Sequence, residues 1–118
     1  MKILIVEDDE SLGPVVDEIL QAIGYRTAWV RDGQQAMTWL ANDVPDAVVL
    51  DMHLPHISGI TILNHIRNDS RLTKTRVLAV TADNLVAPLI QDQADATFLK
   101  PFSVADFVGM ISRLAPLG

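Results

Sequence analysis

Residues Asp46 to Gly59, DAVVLDMHLPHISG, constrain the fold more than any other stretch of the chain. Ala47 to Leu50 is a short apolar run rich in β-branched residues, bounded by Pro45 before it and by Pro55 and Gly59 after it. A strand with one wet face alternates apolar and polar residues. This run does not, so it predicts a strand covered on both faces, as in a parallel sheet. Asp51 closes the run. In an open parallel sheet, ligands bind outside the carboxyl ends of the strands, so a side chain that ends a central strand is a candidate reactive group. A lone Asp there is equally an ordinary turn residue, and what the other strands deliver to the same edge decides between the two.

Lys2 to Val6, KILIV, predicts a first buried strand running into Glu7-Asp8-Asp9-Glu10. Adjacent carboxylates raise one another's pKa, so those nearest the strand end must face a cation or water. Ser11 can cap a helix with Pro14 in its first turn, and Leu12, Val15, Val16, Ile19, Leu20 and Ile23 repeat on one face before Gly24. Tyr25 to Val30 is a weaker strand, followed by the turn Arg31-Asp32-Gly33 and a helix with Ala36, Met37, Leu40 and Ala41 on one face, ending near Asn42. Trp29 and Trp39 are read as core or edge packing, because no basic residues interleave with them as in a nucleic-acid stacking platform.

After Asp51, Gly59 precedes a helix carrying Ile60, Leu63 and Ile66, with His65 and Arg67 on other faces. Val77 to Val80 is a fourth buried strand ending at Thr81. Asp83 to Gln93 is an irregular helix pattern with Pro88 inside it, Thr97 to Leu99 a minimal fifth strand ending in Lys100-Pro101. Ser103 can cap a last helix with Val104, Phe107, Val108, Ile111 and Leu114 inward, and Pro116 and Gly118 end it. Five strand patterns alternating with five helix patterns predict an α/β fold, a doubly wound five-stranded parallel sheet with right-handed crossovers. Residues 1–118 fit one domain.

Composition narrows the function. A net charge of −6 argues against a direct grip on nucleic acid, which needs a positive surface to displace counterions. No apolar run approaches the length that crosses a bilayer, and Ile3 to Val6 is too short for a signal peptide, which points to the cytoplasm and to no membrane contact. The absence of cysteine excludes disulfides and thiolate metal sites. His53, His56 and His65 lack the spacing of a helical zinc site and are read as loop and surface residues.

Four strand ends therefore deliver Glu7 and Asp8, then Asp51, then Thr81, then Lys100 to one edge. Clustered carboxylates suit a small hard cation, Mg²⁺ above all, with Mn²⁺ as an alternative. A carboxylate is a competent nucleophile toward phosphorus. Transfer then needs chiefly charge neutralisation, available from the cation, the Lys100 ammonium and the Thr81 hydroxyl. The set suits acceptance of a phosphoryl group by Asp51 and its later loss to water.

The motifs ILIVEDDE, VVLDMHLPHISG, VTA and FLKPF, over essentially the whole chain, make the sequence resemble a response-regulator receiver domain of two-component signalling, like the chemotaxis regulators. The resemblance implies the flavodoxin-like receiver topology. It implies that Asp51 is the phosphoacceptor, that Glu7, Asp8, Asp51 and the carbonyl of His53 hold Mg²⁺, and that Thr81 and Lys100 bind the phosphoryl oxygens. Asp9 is expected to stay outside the pocket. The implied donor is a sensor histidine kinase or a histidine phosphotransfer domain, and the implied readout is an output domain or target protein met by helices 4 and 5, with homodimerisation on phosphorylation as one form of it. Such a domain is a signalling phosphoacceptor and assists only its own phosphorylation and dephosphorylation. His53 and Asp83, two beyond the phosphoacceptor and two beyond the hydroxyl, with Ala82 between Thr81 and Asp83, flank the path of the attacking water and are expected to modulate phosphate lifetime. The Lys100-Pro101 bond is commonly cis in the family.

Receivers switch when the hydroxyl at the Thr81 position moves toward the new charge and a nearby aromatic follows. Here the usual Tyr or Phe three before the lysine is Thr97, and Phe98 stands where an aliphatic is usual. The stretch from Thr81 to Lys100 is about three residues short, close to one helical turn, and Gln93 replaces a common helix-ending glycine. The switch set Thr81, Thr97, Phe98 and Pro101, and the fourth helix, are therefore expected to be atypical. Other readings are weaker. A receiver-like interaction module that works without phosphate fits these departures but not the intact acidic, hydroxyl and lysine set. A haloacid-dehalogenase-type phosphatase needs D-x-D after the first strand, where E-D-D-E stands. A flavin carrier needs a first loop that cradles phosphate, and this one would repel it.

Overall fold

The computed structural model describes residues 1–117. The elements follow in the order β1 (Lys2–Val6), α1 (Leu12–Ile23), β2 (Arg26–Val30), α2 (Gly33–Asn42), β3 (Ala47–Asp51), α3 (Gly59–Asn68), a single 3₁₀ turn (Ser70–Leu72), β4 (Arg76–Thr81), α4 (Ala87–Ile90), β5 (Ala96–Leu99) and α5 (Val104–Leu114). The five strands form one parallel sheet in the order β2-β1-β3-β4-β5. The chain winds outward from β1 in both directions, so β1 and β3 are central and their carboxyl ends lie side by side.

Successive strand residues point to opposite faces, and the sheet carries a core on each. Ile3, Ile5, Ala47, Val49, Leu78 and Val80 meet Val16 and Leu20 of α1 and Phe107 and Ile111 of α5. Leu4, Val6, Val48, Leu50, Val77 and Ala79 meet Ala36 and Leu40 of α2 and Ile62, Leu63 and Ile66 of α3. All five residues of β3 are buried, as the unbroken apolar run requires. β5, an edge strand, is only half buried.

Several local expectations change. Ser11 does not cap α1; the Asp9 carboxylate does, accepting from the amides of Ser11 (2.7 Å) and Leu12 (3.2 Å). Asp9 thereby becomes a helix cap, outside the acidic cleft, because it is one residue too far along the loop to turn back over the sheet. Asp32, Ser58 and Ser103 cap α2, α3 and α5. Val15, Ile23, Ile60 and Val104, predicted on inward faces, are exposed at the margins of their helices, while Ile62 takes the inward place expected of Ile60. α4 has four residues, with Pro88 in its first turn, rather than the span from Asp83 to Gln93. The turn closes at Gln91 because too little chain separates β4 from β5 for a longer helix. Pro116 follows α5 as expected; Gly118 lies outside the described residues.

Candidate functional site

β1 and β3 end level with one another, with Val6 paired to Leu50, so Glu7 and Asp51 emerge together over the sheet edge. Both are buried, whereas Asp8, one residue further into the loop, is exposed. Glu7, Asp8 and Asp51 can each bring a carboxylate oxygen within 4.8 Å of the others. This is a donor set for a hard cation: oxygen ligands only, open to water on the Asp8 side, with excess negative charge to offset.

From the other side comes Lys100. Its backbone amide bonds Thr81 O at 2.8 Å, which extends the β4–β5 pairing beyond Leu99 and aims the ammonium over the cleft. The Nζ lies 2.7 Å from Glu7 Oε1 and 3.5 Å from Asp51 Oδ2. The next peptide bond, Lys100-Pro101, is cis. The Asp51 carboxylate also accepts from the His53 amide at 3.0 Å, so the loop after β3 folds back over it. That loop is tight. A Cβ on Gly59 would lie 2.5 Å from Met52 Cα and 2.7 Å from the Asp51 carbonyl, so the start of α3 presses on the backbone beside Asp51 and only glycine fits.

The charges are coupled. Burial, together with the neighbouring Asp51 carboxylate, pushes Glu7 up to about 8, against the pull of Lys100. Burial and Asp51 raise Asp8 as well. Asp51 goes the other way: burial opposes its charge, but bonds from Glu7 and the His53 amide, with the Lys100 charge, hold it below its usual value. Burial likewise opposes the Lys100 charge, and Glu7 and Asp51 outweigh it and raise the ammonium. The two carboxylates are thus pushed in opposite directions: burial and Asp51 disfavour the charge on Glu7, while the His53 amide and Lys100 favour it on Asp51.

Thr81 is buried at the end of β4, next to the cleft. Its Oγ1 accepts from the Asp83 amide at 3.0 Å and is 2.9 Å from His53 Nε2. The Asp83 carboxylate turns away and accepts from Leu85 N at 2.9 Å, fixing the turn before α4. Ala82 is exposed between them. Thr97 pairs with Ala79 and Phe98 with Val80, which puts Phe98 on the α1 and α5 face. There its ring lies 5.8 Å from that of Phe102, which stacks on Phe107 at 5.4 Å. Because strand faces alternate, the one-residue offset between Thr97 and Phe98 puts the aromatic on the opposite face.

Two features escaped the sequence reading. Trp29 packs flat against Gly13, where a Cβ would come within 2.4 Å of the indole, and its Nε1 donates to the Glu7 carbonyl at 2.8 Å. The indole thus pins the backbone from which Glu7 projects. A glycine inside a helical pattern was the available signal. The second is the His53 to Thr81 bond, which joins residues 28 apart in sequence and left no local trace.

Fold and site together define a class: doubly wound domains in which a strand-end carboxylate lies between an acidic cluster able to hold a cation and a lysine from the end of the last strand. The chain belongs to the response regulator receiver domain family, whose profile matches residues 3–112. It is 34% identical over 110 residues to the DNA-binding response regulator MtrA of Mycolicibacterium paratuberculosis, covering 93% of this chain and 49% of that protein. The chain spans about half the length of the curated relatives it matches. Among solved structures it is similar to the receiver domain of the sensor histidine kinase PA1611 of Pseudomonas aeruginosa, described with a magnesium ion in its active-site cleft (28% identity, TM-score 0.86, covering 96% of this chain and 95% of that one). It is also similar to the response regulator TrrA of Thermotoga maritima in complex with Mg²⁺ and beryllofluoride (25% identity, TM-score 0.83, covering 96% and 97%). The chain is a receiver domain of two-component signalling.

Proposed function

We propose that Asp51 is the phosphoacceptor of this receiver. The observation that carries the proposal is the polarised cleft, Asp51 between a carboxylate cluster and the Lys100 ammonium, whose charge favours its ionised form. Glu7, Asp8, Asp51 and the His53 carbonyl would hold Mg²⁺, or Mn²⁺ in its place, which when bound would supply positive charge to offset the carboxylates and the incoming phosphoryl oxygens.

The remaining steps belong to the chain's own residues. An Asp51 carboxylate oxygen attacks phosphorus of a phosphohistidine, the new O–P bond forms as the N–P bond breaks, and the imidazole leaves with the N–P electron pair. Lys100 and Thr81 take up the charge on the equatorial oxygens. Water later attacks the same phosphorus, the O–P bond breaks, and inorganic phosphate leaves an ionised Asp51. His53 and Asp83, beside the water's approach, with Ala82 leaving room between them, set how long the phosphoryl group lasts.

The donor is a sensor histidine kinase or histidine phosphotransfer domain. Residues 1–118 act as one receiver unit within a two-component regulator, and its readout is an output domain, a target protein or a second copy of the chain. The surface around α4 supports such a readout: Leu85 and Leu89 are 74% and 72% exposed, which leaves apolar side chains there for a partner to cover. Thr97, Phe98 and Pro101 lie along the adjacent β5 and its exit. The four-residue α4 and Thr97 also favour a second reading, an interaction module that works without phosphate.

Intact mass after incubation with acetyl phosphate tests the choice. A gain of one phosphoryl group that requires Mg²⁺ and vanishes in Asp51→Asn is the expected result. An adduct that persists in Asp51→Asn refutes the assignment. Failure of both acetyl phosphate and beryllofluoride to engage the wild-type chain favours the phosphate-independent module.

A further inference from the structure

We infer that the His53 imidazole is a positioning group that holds the Thr81 hydroxyl out of reach of Asp51 until a phosphoryl oxygen competes for it. The inference rests on the phosphoacceptor reading above. Every hydrogen bond of Thr81 Oγ1 among the described residues goes to His53 or Asp83: His53 Nε2 at 2.9 Å, the Asp83 amide at 3.0 Å and the Asp83 carbonyl at 3.4 Å.

A hydroxyl has one proton and two lone pairs. With Nε2 bare, the Thr81 proton is donated to the ring. With Nε2 protonated, the ring and the Asp83 amide fill both lone pairs, and the proton turns to the Asp83 carbonyl. In either tautomer the hydroxyl's single proton is already committed, so none is left to donate to an oxygen on Asp51. The Asp83 bonds belong to the turn that follows Thr81 and move with it. The His53 bond differs, because it ties the loop after β3 to the end of β4. The same residue's amide bonds Asp51. Residue 53 thus grips the acceptor through its backbone and the switch hydroxyl through its exposed ring, so a phosphoryl group draws Thr81 inward only by breaking the second contact.

Beryllofluoride binding at saturating Mg²⁺ reads the competition at equilibrium. His53→Ala keeps the backbone amide and carbonyl and removes only the ring. It binds the probe about two- to tenfold more tightly than wild type, the range one net hydrogen bond supports. His53→Gln, whose amide reaches the same hydroxyl, loses part of that gain. In a Thr81→Ala background, His53→Ala has no further effect. Equal or weaker binding by His53→Ala while wild type binds overturns the inference and leaves the phosphoacceptor reading intact, as does a gain that persists without Thr81. Loss of binding in wild type and every variant removes both. The contact also has a readout free of phosphate chemistry: in the unliganded protein the His53 Nε2 resonance moves on Thr81→Ala, and an unmoved resonance overturns the latch by itself.

Discussion

β3 and β5 each deliver one charged group to the cleft, and they do so from opposite circumstances. β3 is flanked by β1 and β4, buried along its whole length and packed on both faces, so Asp51 is placed by a rigid element. β5 is a half-buried edge strand behind a four-residue helix, and Lys100 is placed by its pairing to Thr81 and its ion pairs. The Asp51 side of the site is built into the core, while the Lys100 side sits where less packing resists movement. The soft side still has an anchor. Arg67 of α3 donates to Gln93 O (2.6 Å), Thr75 O (2.9 Å) and Asp95 Oδ2 (2.7 Å), tying the α4–β5 connection to the far end of the sheet.

If β3 is the rigid half, cutting into it has the largest effect. Leu50→Ala empties a fully buried position between α2 and α3 and costs about 2–5 kcal/mol; urea unfolding measures it, and a cost below about 1 kcal/mol would break the contrast.

Next comes the charge coupling across the cleft. Glu7, raised to about 8 in the folded chain from an ordinary 4.5, keeps a proton that the unfolded chain loses. Between those pH values the folded state binds more protons, so stability without a divalent cation falls as pH rises through the window. Glu7→Gln flattens that slope. Since a cation must displace the same proton, Mg²⁺ affinity, followed by the fluorescence of the nearby Trp29, climbs below pH 8 by up to about tenfold per unit.

A smaller loss is expected at the anchor of the soft half. Arg67→Ala leaves the Gln93 and Thr75 carbonyls short of a donor and costs about 1–3 kcal/mol. Hydrogen exchange should rise at Gln93 to Thr97 and stay unchanged in β3; a uniform rise would mean that the two halves open as one unit. The least effect belongs to Leu89→Ala, within about 0.5 kcal/mol because the side chain is largely in water. A larger loss would show that α4 is packed more firmly than its exposure implies.

The same division marks what could be read in advance. β1, β3 and β4 announce themselves because a strand buried on both faces can hold only apolar residues, and an acid or hydroxyl at its end then stands out. The segment from Asp83 to Leu99 carries no such signal: its helix pattern is broken by Pro88, and how much of it coils depends on the distance that β5 must cover to pair with β4. Asp9 and Ser11 are both good caps by residue type, and only the path of the loop after Glu7 chooses Asp9. Val15 and Val104 fit inward stripes by spacing yet lie outside, since the width of a buried face depends on what packs against it.

By itself, the order of residues determined the doubly wound sheet and which polar groups end its strands, Glu7, Asp8, Asp51, Thr81 and Lys100, because strand burial and strand ends are local patterns. Tertiary structure decided how those groups address one another. Whether Lys100 leans to Glu7 or Asp51, which carboxylate keeps the proton, and that His53 reaches Thr81 are matters of ångströms between separate strands. Those distances are set by how the sheet twists and how its loops fold back, and no single stretch of the chain contains them.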